Sequence, residues 1–400
     1  MPKARRCEHW LKSIGHLTRH TEAPTHFWLW SGIFTLCAAM ERKVWIPYGL
    51  DRIYPNLYLM LVAPPGKCRK GGPVGLSKRL LKSIGCTVSV DSCSKESLTS
   101  EISNTLKQVD LPGIGLIQQS PMAVISKELS SLLAVDPKKM IEALTDLFDE
   151  HEVWEYKTKH GKEEKLYGPC VSMFAATTPY YIANNLPYEA FGAGFFSRVI
   201  FVVGKEKRGR IPRPDVFFNE DDALLLENLE KDLNLISHLR GAVSWSDSAG
   251  KIFDNWYNAL DRKYVEVKDE RFHGFIERAH IAVLKVATAI RVSYSDTLFF
   301  EDYDIMTAIE LIENIFPDLP KAFGGLGRSG MSISTNSVIQ QLRILKEVKL
   351  SQLFSDNWRN MDMDELRSVL SLLYAMGNIN RKSITAKDGR PDEIITWKGD

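Results

Sequence analysis

The chain has 400 residues, more than one ordinary domain needs, and this length predicts two or three domains. Its 44% hydrophobic and 25% charged residues are typical of a globular protein rather than a disordered or fibrous one. Lys and Arg total 51 against 50 for Asp and Glu, so the chain is not a polycation, and any nucleic-acid binding must use a local basic surface.

The six cysteines have no Cys-x-x-Cys spacing, and the basic start of the chain lacks the apolar core of a signal peptide. We therefore expect reduced thiols in a cytoplasmic protein. Four histidines near the N-terminus match no standard zinc spacing, so no metal site is expected there. The apolar stretch 27–40 is too short to cross a bilayer and predicts a buried helix, which argues against a membrane partner.

The pattern of the chain predicts an α/β fold in four sections. Residues 1–55 have the pattern of a helical lead-in. Residues 56–205 alternate short β-rich runs with helical stretches, which predicts a mainly parallel sheet covered by helices. Residues 220–325 are almost entirely helical in pattern, and residues 336–400 follow the helix, helix, helix, strand, strand order of a winged-helix-like module.

The first strand of the sheet, at residues 57–63, leads into a loop that has the composition of a phosphate-binding loop. Backbone N–H groups, the N-terminus of the following helix and a lysine would together hold the phosphates of ATP. The candidate residues are Pro65, Gly66, Arg69, Lys70, Gly71 and Gly72.

This loop departs from the standard pattern at two positions. With Lys70 as the phosphate lysine, Gly71 stands where a magnesium-binding Ser or Thr is expected, and Arg69 replaces the last glycine. A Gly-Lys turn on the surface is the alternative interpretation.

Two later strands end in polar residues that suit the chemistry of ATP hydrolysis. Glu128 follows an apolar strand, where an acid can polarise the attacking water, although Lys127 replaces the acid expected before it. Thr177 ends the next strand and can touch the γ-phosphate. An ordinary strand-to-helix corner at Glu128, and helix capping by the Thr177-Thr178 pair, are the alternatives.

Arg198 opens a further apolar strand after the glycines at 192 and 194. An arginine so placed can stabilise transition-state charge at the nucleotide of a neighbouring subunit. Capping of a sheet edge by this arginine is the alternative.

Residues 151–168 alternate in polarity around a basic turn, which predicts a β-hairpin. A hairpin of this kind can carry motion to the backbone of DNA, whereas a solvated hairpin is the equally weighted alternative. Its candidate DNA contacts are Lys157, Lys159, His160, Lys162 and Lys165.

The order of several motifs resembles a family of replication-associated P-loop ATPases encoded by phage and plasmid genomes. The motifs are Thr21-Glu-Ala-Pro, Phe27-Trp-Leu-Trp-Ser-Gly, Tyr54-Pro-Asn-Leu-Tyr, the Gly-x-x-Arg-Lys loop, Glu128-Leu, Thr177-Thr-Pro and Gly194-Phe-Phe-Ser-Arg. The resemblance covers residues 15–205 and extends more weakly over the helical section.

This resemblance implies a P-loop NTPase core of the AAA+ or RecA-like kind, with the helical section as its lid. It also implies ATP with Mg²⁺, assembly into a hexameric ring, and a primase or other replication protein as a partner. Arg278 corresponds to a second, lid-borne arginine near the phosphates. Lys285 follows on the same helix and is expected at the surface.

In the C-terminal module, Arg381 and Lys382 lie in the expected wing and are candidate DNA contacts. Winged helices also dock proteins, so that alternative stays open.

Two functions follow for the whole chain. One is a ring-forming DNA helicase or translocase in the replication of a phage or other mobile element, acting on single- or double-stranded DNA. The other is a nucleotide-binding assembly or adaptor protein with a slow or inactive hydrolytic site.

Overall fold

The computed structural model describes residues 5–89, 91–157, 163–186, 194–266, 272–323, 338–339, 341–357, 361–385 and 391–398. The chain divides into two compact units, Met1–Gly324 and Gly325–Asp400.

The larger unit is built on a five-stranded sheet in which four strands are parallel, which confirms the predicted α/β class with parallel strands. The order across the sheet is β4, β5, β8, β3, β9. The fifth strand, β4, pairs antiparallel with β5 at one edge. The five strands are β3 (Tyr58–Val62), β4 (Lys107–Leu111), β5 (Gly115–Ser126), β8 (Pro169–Thr177) and β9 (Val199–Val203).

The sheet is covered on both faces, and its central strands accordingly read as continuous apolar runs. Every residue of β3 and of β8 is buried. On one face the ring of Phe34 packs against that of Phe174, with ring centroids 4.9 Å apart. Elsewhere on the sheet, the hydroxyl of Tyr58 in β3 donates a hydrogen bond of 2.7 Å to the carbonyl of Leu144.

Helices cover the sheet and fill the rest of the larger unit. They are α1 (Trp10–Leu17), α2 (Thr25–Met40), α3 (Gly71–Ser83), α4 (Lys95–Ser103), α5 (Leu129–Leu132), α6 (Pro137–Phe148), α7 (Pro179–Asn185), α8 (Glu220–Ile236), α9 (Asp247–Asn258), α10 (Asp261–Glu266), α11 (His273–Tyr294), α12 (Asp302–Glu313) and α13 (Leu319–Ala322). Short strands form small separate sheets: β1 (Val44–Tyr48), β2 (Asp51–Ile53), β6 (Val153–Lys157), β7 (Glu163–Tyr167), β10 (Gly241–Ala242), β11 (Ser244–Trp245) and β12 (Phe299–Phe300).

Helices from the start of the chain pack directly against helices of the later helical section. The indole N–H of Trp10 donates to the carbonyl of Leu229 at 3.0 Å, which joins α1 to α8. The backbone N–H of Cys7 donates to the carboxylate of the buried Asp232 at 2.7 Å. Helix α2 packs against both α3 and α11. The two segments therefore belong to one helical layer of the larger unit.

Helix α2 is buried on nearly all sides, as its apolar sequence predicts. In the part of the chain that the structure describes, no helix has the length and apolar character needed to span a membrane.

The smaller unit has its own core around Leu353, Leu366, Leu370 and Ile395. Its strands form an antiparallel sheet in the order β13, β15, β14. The sequence predicts two strands here, and the structure adds a third, β13, on the free side of β15. The elements are β13 (Glu347–Lys349), α14 (Leu350–Asn357), α15 (Met363–Ala375), β14 (Ile379–Thr385) and β15 (Pro391–Trp397).

Candidate nucleotide-binding site

A crevice is expected at the carboxyl ends of β3 and β8, because the chain leaves these neighbouring strands in opposite directions. From β3 the chain continues toward β5, on the β8 side, whereas from β8 it crosses β3 to reach β9. Open parallel sheets bind their ligands where the direction of connection reverses in this way. The two strand ends are linked by a hydrogen bond of 3.3 Å from the N–H of Ala63 to the carbonyl of Thr177.

The loop after β3 contains two residues with left-handed backbone. Gly66 has φ of 69°, and Arg69 has φ of 49°, in the region that favours glycine. Arg69 therefore adopts the conformation of the glycine it replaces in the standard pattern. Its guanidinium donates a hydrogen bond of 2.6 Å to the carboxylate of Glu22, which turns the long side chain away from the loop interior.

Glu22 joins the loop to the segment that follows β9, a role that the sequence does not predict. Besides Arg69, its carboxylate accepts hydrogen bonds from the N–H of Ile211 and from Lys207, both at 3.0 Å. These donors, Arg69 first, lower the pKa of Glu22 to about 2. The signal in the sequence was the Thr21-Glu-Ala-Pro motif, but its partners lie up to 189 positions away.

Lys70 lies inside the loop at the start of α3. Its ammonium donates a hydrogen bond of 2.7 Å to the carbonyl of Ala63, and the residue is 9% exposed. Burial lowers the pKa of Lys70, and the negative charge of Glu128 acts in the opposite direction. Lys70 and Glu128 are therefore brought to the same edge of the sheet, close enough for their charges to interact.

The carboxyl edge also carries the other predicted residues of the hydrolytic site. Glu128 is exposed two residues beyond the end of β5, and the buried Thr177 ends β8. The next residue, Thr178, caps α7 by accepting a hydrogen bond from the N–H of Tyr181 at 3.1 Å. The capping role thus belongs to Thr178, and Thr177 is the last residue of β8.

Lys127 lies between the end of β5 and the helix α3. Its Cε is 3.8 Å from the point that a Cβ on Gly75 would occupy, one helical turn after Gly71. The residue is exposed, and within the described ranges its ammonium has no hydrogen-bond or ion-pair partner. A cation without a partner among the described residues therefore lies beside α3.

Two residues at this edge, Gly71 and Lys127, do not match the ligands expected for Mg²⁺, the metal that the resemblance implies. Mg²⁺ requires oxygen ligands in an octahedral arrangement. Gly71 offers no side-chain oxygen, and Lys127 places a cation where a carboxylate is expected. Among the residues that the structure describes, no group of three or more His, Cys, Asp or Glu side chains is arranged to hold a metal ion.

Arg198 and Arg278 lie together at the opposite, amino edge of the sheet. Arg198 directly precedes β9, whose first residue pairs with Tyr58, the first residue of β3. Arg278 donates a hydrogen bond of 3.2 Å to Asp149, and Arg198 forms an ion pair with the same carboxylate. The five residues of β3 span about 13 Å, so the structure does not bring these arginines together with Lys70 of the same chain.

Asp149 is the anion at the amino edge. Helix α6 begins with the N-cap Asp136 and ends at Phe148, which leaves Asp149 in extended backbone at the start of the next loop. Burial raises the pKa of Asp149, but the hydrogen bonds and charges of Arg198 and Arg278 outweigh this effect, and the pKa is lower than the ordinary 3.8.

Lys285 is buried close to these residues, so the expectation that it lies at the surface is wrong. Its ammonium donates to the carbonyl and the side-chain oxygen of Asn56, at 2.7 and 2.9 Å, and lies 4.0 Å from the centre of the Phe148 ring. Burial lowers its pKa to about 7. A cavity of about 130 Å³ is lined by Asp149, Arg278, Lys285 and neighbouring residues.

The predicted hairpin is present as the antiparallel pair β6 and β7. It leaves the sheet after α6 and returns at β8, so its base lies at the amino edge. Lys165 pairs with Glu155 at 2.8 Å, and Lys157 ends β6. The other predicted contacts, Lys159, His160 and Lys162, lie outside the described residues.

The two predicted wing residues of the smaller unit differ in their pairing. Arg381 donates hydrogen bonds of 2.6 and 2.9 Å to the carboxylate of Glu393 on the adjacent strand. Lys382 is exposed, and among the described residues it has no such partner.

No protein-family model matches the chain, and no curated protein matches its sequence.

Proposed function

We propose that the larger unit binds ATP at the carboxyl edge of its sheet and that the chain acts as a ring-forming DNA helicase or translocase in the replication of a phage or other mobile element. The observation that carries this proposal is that Lys70, Glu128 and Thr177 all lie at the carboxyl edge of the sheet, where the charge of Glu128 acts on Lys70. Each comes from a different strand end, as a site assembled by the fold requires.

Each residue has a distinct role in the proposed reaction. Lys70 would exchange its bond to the Ala63 carbonyl for the β- and γ-phosphates, assisted by the backbone N–H groups at the start of α3. Glu128 would orient the attacking water, and Thr177 would contact the γ-phosphate or that water. The reaction needs little covalent chemistry from the protein, so positioning and charge dominate.

Arg198 would act on the nucleotide of a neighbouring copy. Because it lies at the edge opposite Lys70, it reaches a phosphate only if a second chain presents its carboxyl edge to this amino edge. Contacts of this head-to-tail type generate rings when the rotation closes. Arg278 shares Asp149 with Arg198 and would enter the same interface.

DNA would bind through local basic surfaces, since the net charge of the chain is only +1. The hairpin between α6 and β8 starts beside Asp149, so a change at the subunit interface would be transmitted directly to its strands. In the smaller unit, Lys382, which has no partner among the described residues, is better placed for a phosphate than Arg381, which Glu393 neutralises.

A second function, the nucleotide-dependent adaptor, is favoured by Gly71 and Lys127. These residues leave out the oxygen ligands of a magnesium site, and fast phosphoryl transfer ordinarily depends on that metal. An adaptor would bind ATP and assemble on DNA with little turnover.

The test is ATP binding and hydrolysis by the full-length protein, with and without single-stranded DNA, compared with Lys70→Ala. Loss of a buried charged contact lowers nucleotide affinity by about a hundredfold. The control is Lys82→Ala, an exposed lysine at the far end of the same helix α3. DNA-stimulated turnover that Lys70→Ala abolishes supports the translocase, and binding without turnover supports the adaptor. Equal ATP affinity of Lys70→Ala and the wild type contradicts the proposed site.

A further inference from the structure

We propose that this site takes a nucleoside triphosphate without a divalent metal, and that Lys127 supplies the positive charge that the metal would otherwise supply. The inference rests on the proposed function, because it concerns how the same loop holds its nucleotide. It starts from the mismatch between Mg²⁺ and the side chains present.

The position of Lys127 relative to α3 carries the inference. Residues four apart lie on the same face of a helix, so Gly71 and Gly75 share one face of α3. The Cε of Lys127 lies beside Gly75 on this face, with the ammonium one bond further on. A Cβ added at Gly71 would meet no atom within 4 Å, so the space beside the first turn of the helix is open. The lysine side chain thus lies one helical turn from the open space at Gly71, where the metal and its serine or threonine ligand would lie.

Lys127 differs from the neighbouring cations, because those cations are paired with carboxylates. Arg69 is bound to Glu22 at 2.6 Å, and Lys78 on α3 is bound to Asp91 at 2.8 Å. Lys127 has no such carboxylate among the residues that the structure describes, and it is not buried. Its charge is therefore available to an anion from solution at no cost in broken ion pairs.

The charge required by the ligand agrees with this assignment. A triphosphate needs several positive groups around its β- and γ-phosphates, and here Lys70, Lys127 and the positive end of the α3 dipole lie at one edge. A carboxylate at position 127 would attract a metal, whereas an ammonium repels one. Glycine at 71 removes the second oxygen, and the lysine side chain lies beside Gly75, one helical turn later. The two departures from the standard loop therefore fit a single arrangement.

The experiment measures the affinity of the full-length protein for ATP at equilibrium, once with Mg²⁺ and once with excess EDTA. The wild type is expected to bind with affinities that agree within about twofold in the two buffers. Lys127→Ala is expected to bind about tenfold more weakly in EDTA, the effect of about 1.4 kcal/mol. Lys82→Ala, at the other end of α3, is expected to bind like the wild type.

A charge reversal sharpens the test. Lys127→Asp is expected to bind weakly in EDTA and to recover affinity on addition of Mg²⁺, because it restores a carboxylate at the metal position. Since Lys127 is exposed, none of these variants should change the thermal unfolding temperature, which is the check on folding.

Either of two results overturns the inference while leaving the proposed function intact. One is wild-type binding that disappears in EDTA, and the other is Lys127→Ala with wild-type affinity in EDTA. Absence of ATP binding by the wild type in both buffers is a different outcome, because it removes the proposed function and this inference together.

Discussion

The two edges of the parallel sheet both collect positive side chains, but they neutralise them differently. At the carboxyl edge, Lys70 donates to a backbone carbonyl, and Lys127 has no carboxylate partner among the described residues. At the amino edge, Arg198 and Arg278 share the carboxylate of Asp149. An anion from solution can therefore bind directly at the first edge, whereas at the second it must compete with an anion supplied by the chain itself.

This difference assigns separate roles to the edges. Under the proposed function, the carboxyl edge would bind a nucleotide within each chain. At the amino edge one carboxylate is shared by two arginines, and under the proposed function these arginines would leave Asp149 only for a stronger anion. A phosphate on a neighbouring chain, which carries more charge than one carboxylate, is such an anion.

The largest expected effect concerns Arg198. Arg198→Ala should lower DNA-stimulated ATP turnover by about a thousandfold, the scale found for arginines that act across a subunit interface. The affinity of each chain for ATP should not change, because Arg198 lies at the other edge. The measurement is steady-state hydrolysis together with equilibrium binding. Arg79→Ala, an exposed arginine on α3, is the control. A large loss of ATP affinity in Arg198→Ala would contradict the separation of the two edges.

The buried Lys285 predicts a pH-dependent stability at the amino edge. In the folded protein its pKa is about 7, against an ordinary value of 10.5. Between these values the unfolded chain binds more protons, so the free energy of unfolding rises with pH, by on the order of 1.4 kcal/mol per pH unit.

This contribution should be absent from Lys285→Met. The two proteins are compared by denaturant unfolding from pH 7 to pH 10, and only the slope with pH is interpreted, because the substitution also leaves the Asn56 oxygens without their donor. Lys251→Met, at an exposed lysine, should retain the wild-type slope. Equal slopes for the wild type and Lys285→Met would show that Lys285 stays charged in the folded protein.

A smaller effect is expected from Asp149→Asn. Because Asp149 is 41% exposed, its ion pairs are partly screened, and their loss should lower the free energy of unfolding at pH 7 by about 1 kcal/mol. The pKa of Asp149 is below 3.8 in the folded protein, so this stabilisation is present above pH 3.8 and is lost as the pH falls through the folded pKa.

Denaturant unfolding at pH 7 and in acid measures this loss. The difference between the variant and the wild type should shrink in acid, and Asp254→Asn, at an exposed aspartate, should have no effect at either pH. A difference that is equally large in acid would show that the ion pairs of Asp149 are not its source.

The smallest effect is expected in the smaller unit, where Arg381 is paired with a carboxylate and Lys382 has no such partner among the described residues. Lys382→Ala should weaken DNA binding by two- to threefold, on the order expected for one phosphate contact, and reduce the slope of log affinity against log salt by about 1. Arg381→Ala should change neither, because Glu393 already neutralises Arg381. Titration of DNA at several salt concentrations measures both. Equal effects of the two substitutions would show that pairing within the fold does not decide which cation meets DNA.

The carboxyl edge could be predicted from the sequence because its signals are local. An apolar run followed by Gly66 and Lys70 marks a strand and its loop, and Glu128 and Thr177 directly follow or end apolar runs. Parallel strands present these ends at one edge, so short segments suffice to bring the residues together.

The amino edge could not be predicted in the same way, because its contacts join residues that are far apart in sequence. Arg278 meets Asp149 across 129 positions, and Lys285 meets Asn56 across 229. No pattern in the sequence indicates that residues so far apart will be in contact. Charge alone also gives the wrong position for Lys285. A lysine on a helix is expected at the surface, but Lys285 lies buried against Phe148.

The antiparallel edge strand β4 was also missed, although a signal was present. Gly113 and Gly115 both have positive φ, and they form the turn that reverses the chain between β4 and β5. Glycines at this spacing between two β-rich runs predict a hairpin.

The most direct test of the whole account is ATP hydrolysis by a mixture of the Lys70→Ala and Arg198→Ala proteins in the presence of single-stranded DNA. Each variant alone should be inactive. In a mixed ring, an Arg198→Ala chain supplies an intact phosphate loop and a neighbouring Lys70→Ala chain supplies an intact Arg198, so the mixture should regain turnover. A mixture as inactive as its components would contradict an active site shared between the two edges of neighbouring chains.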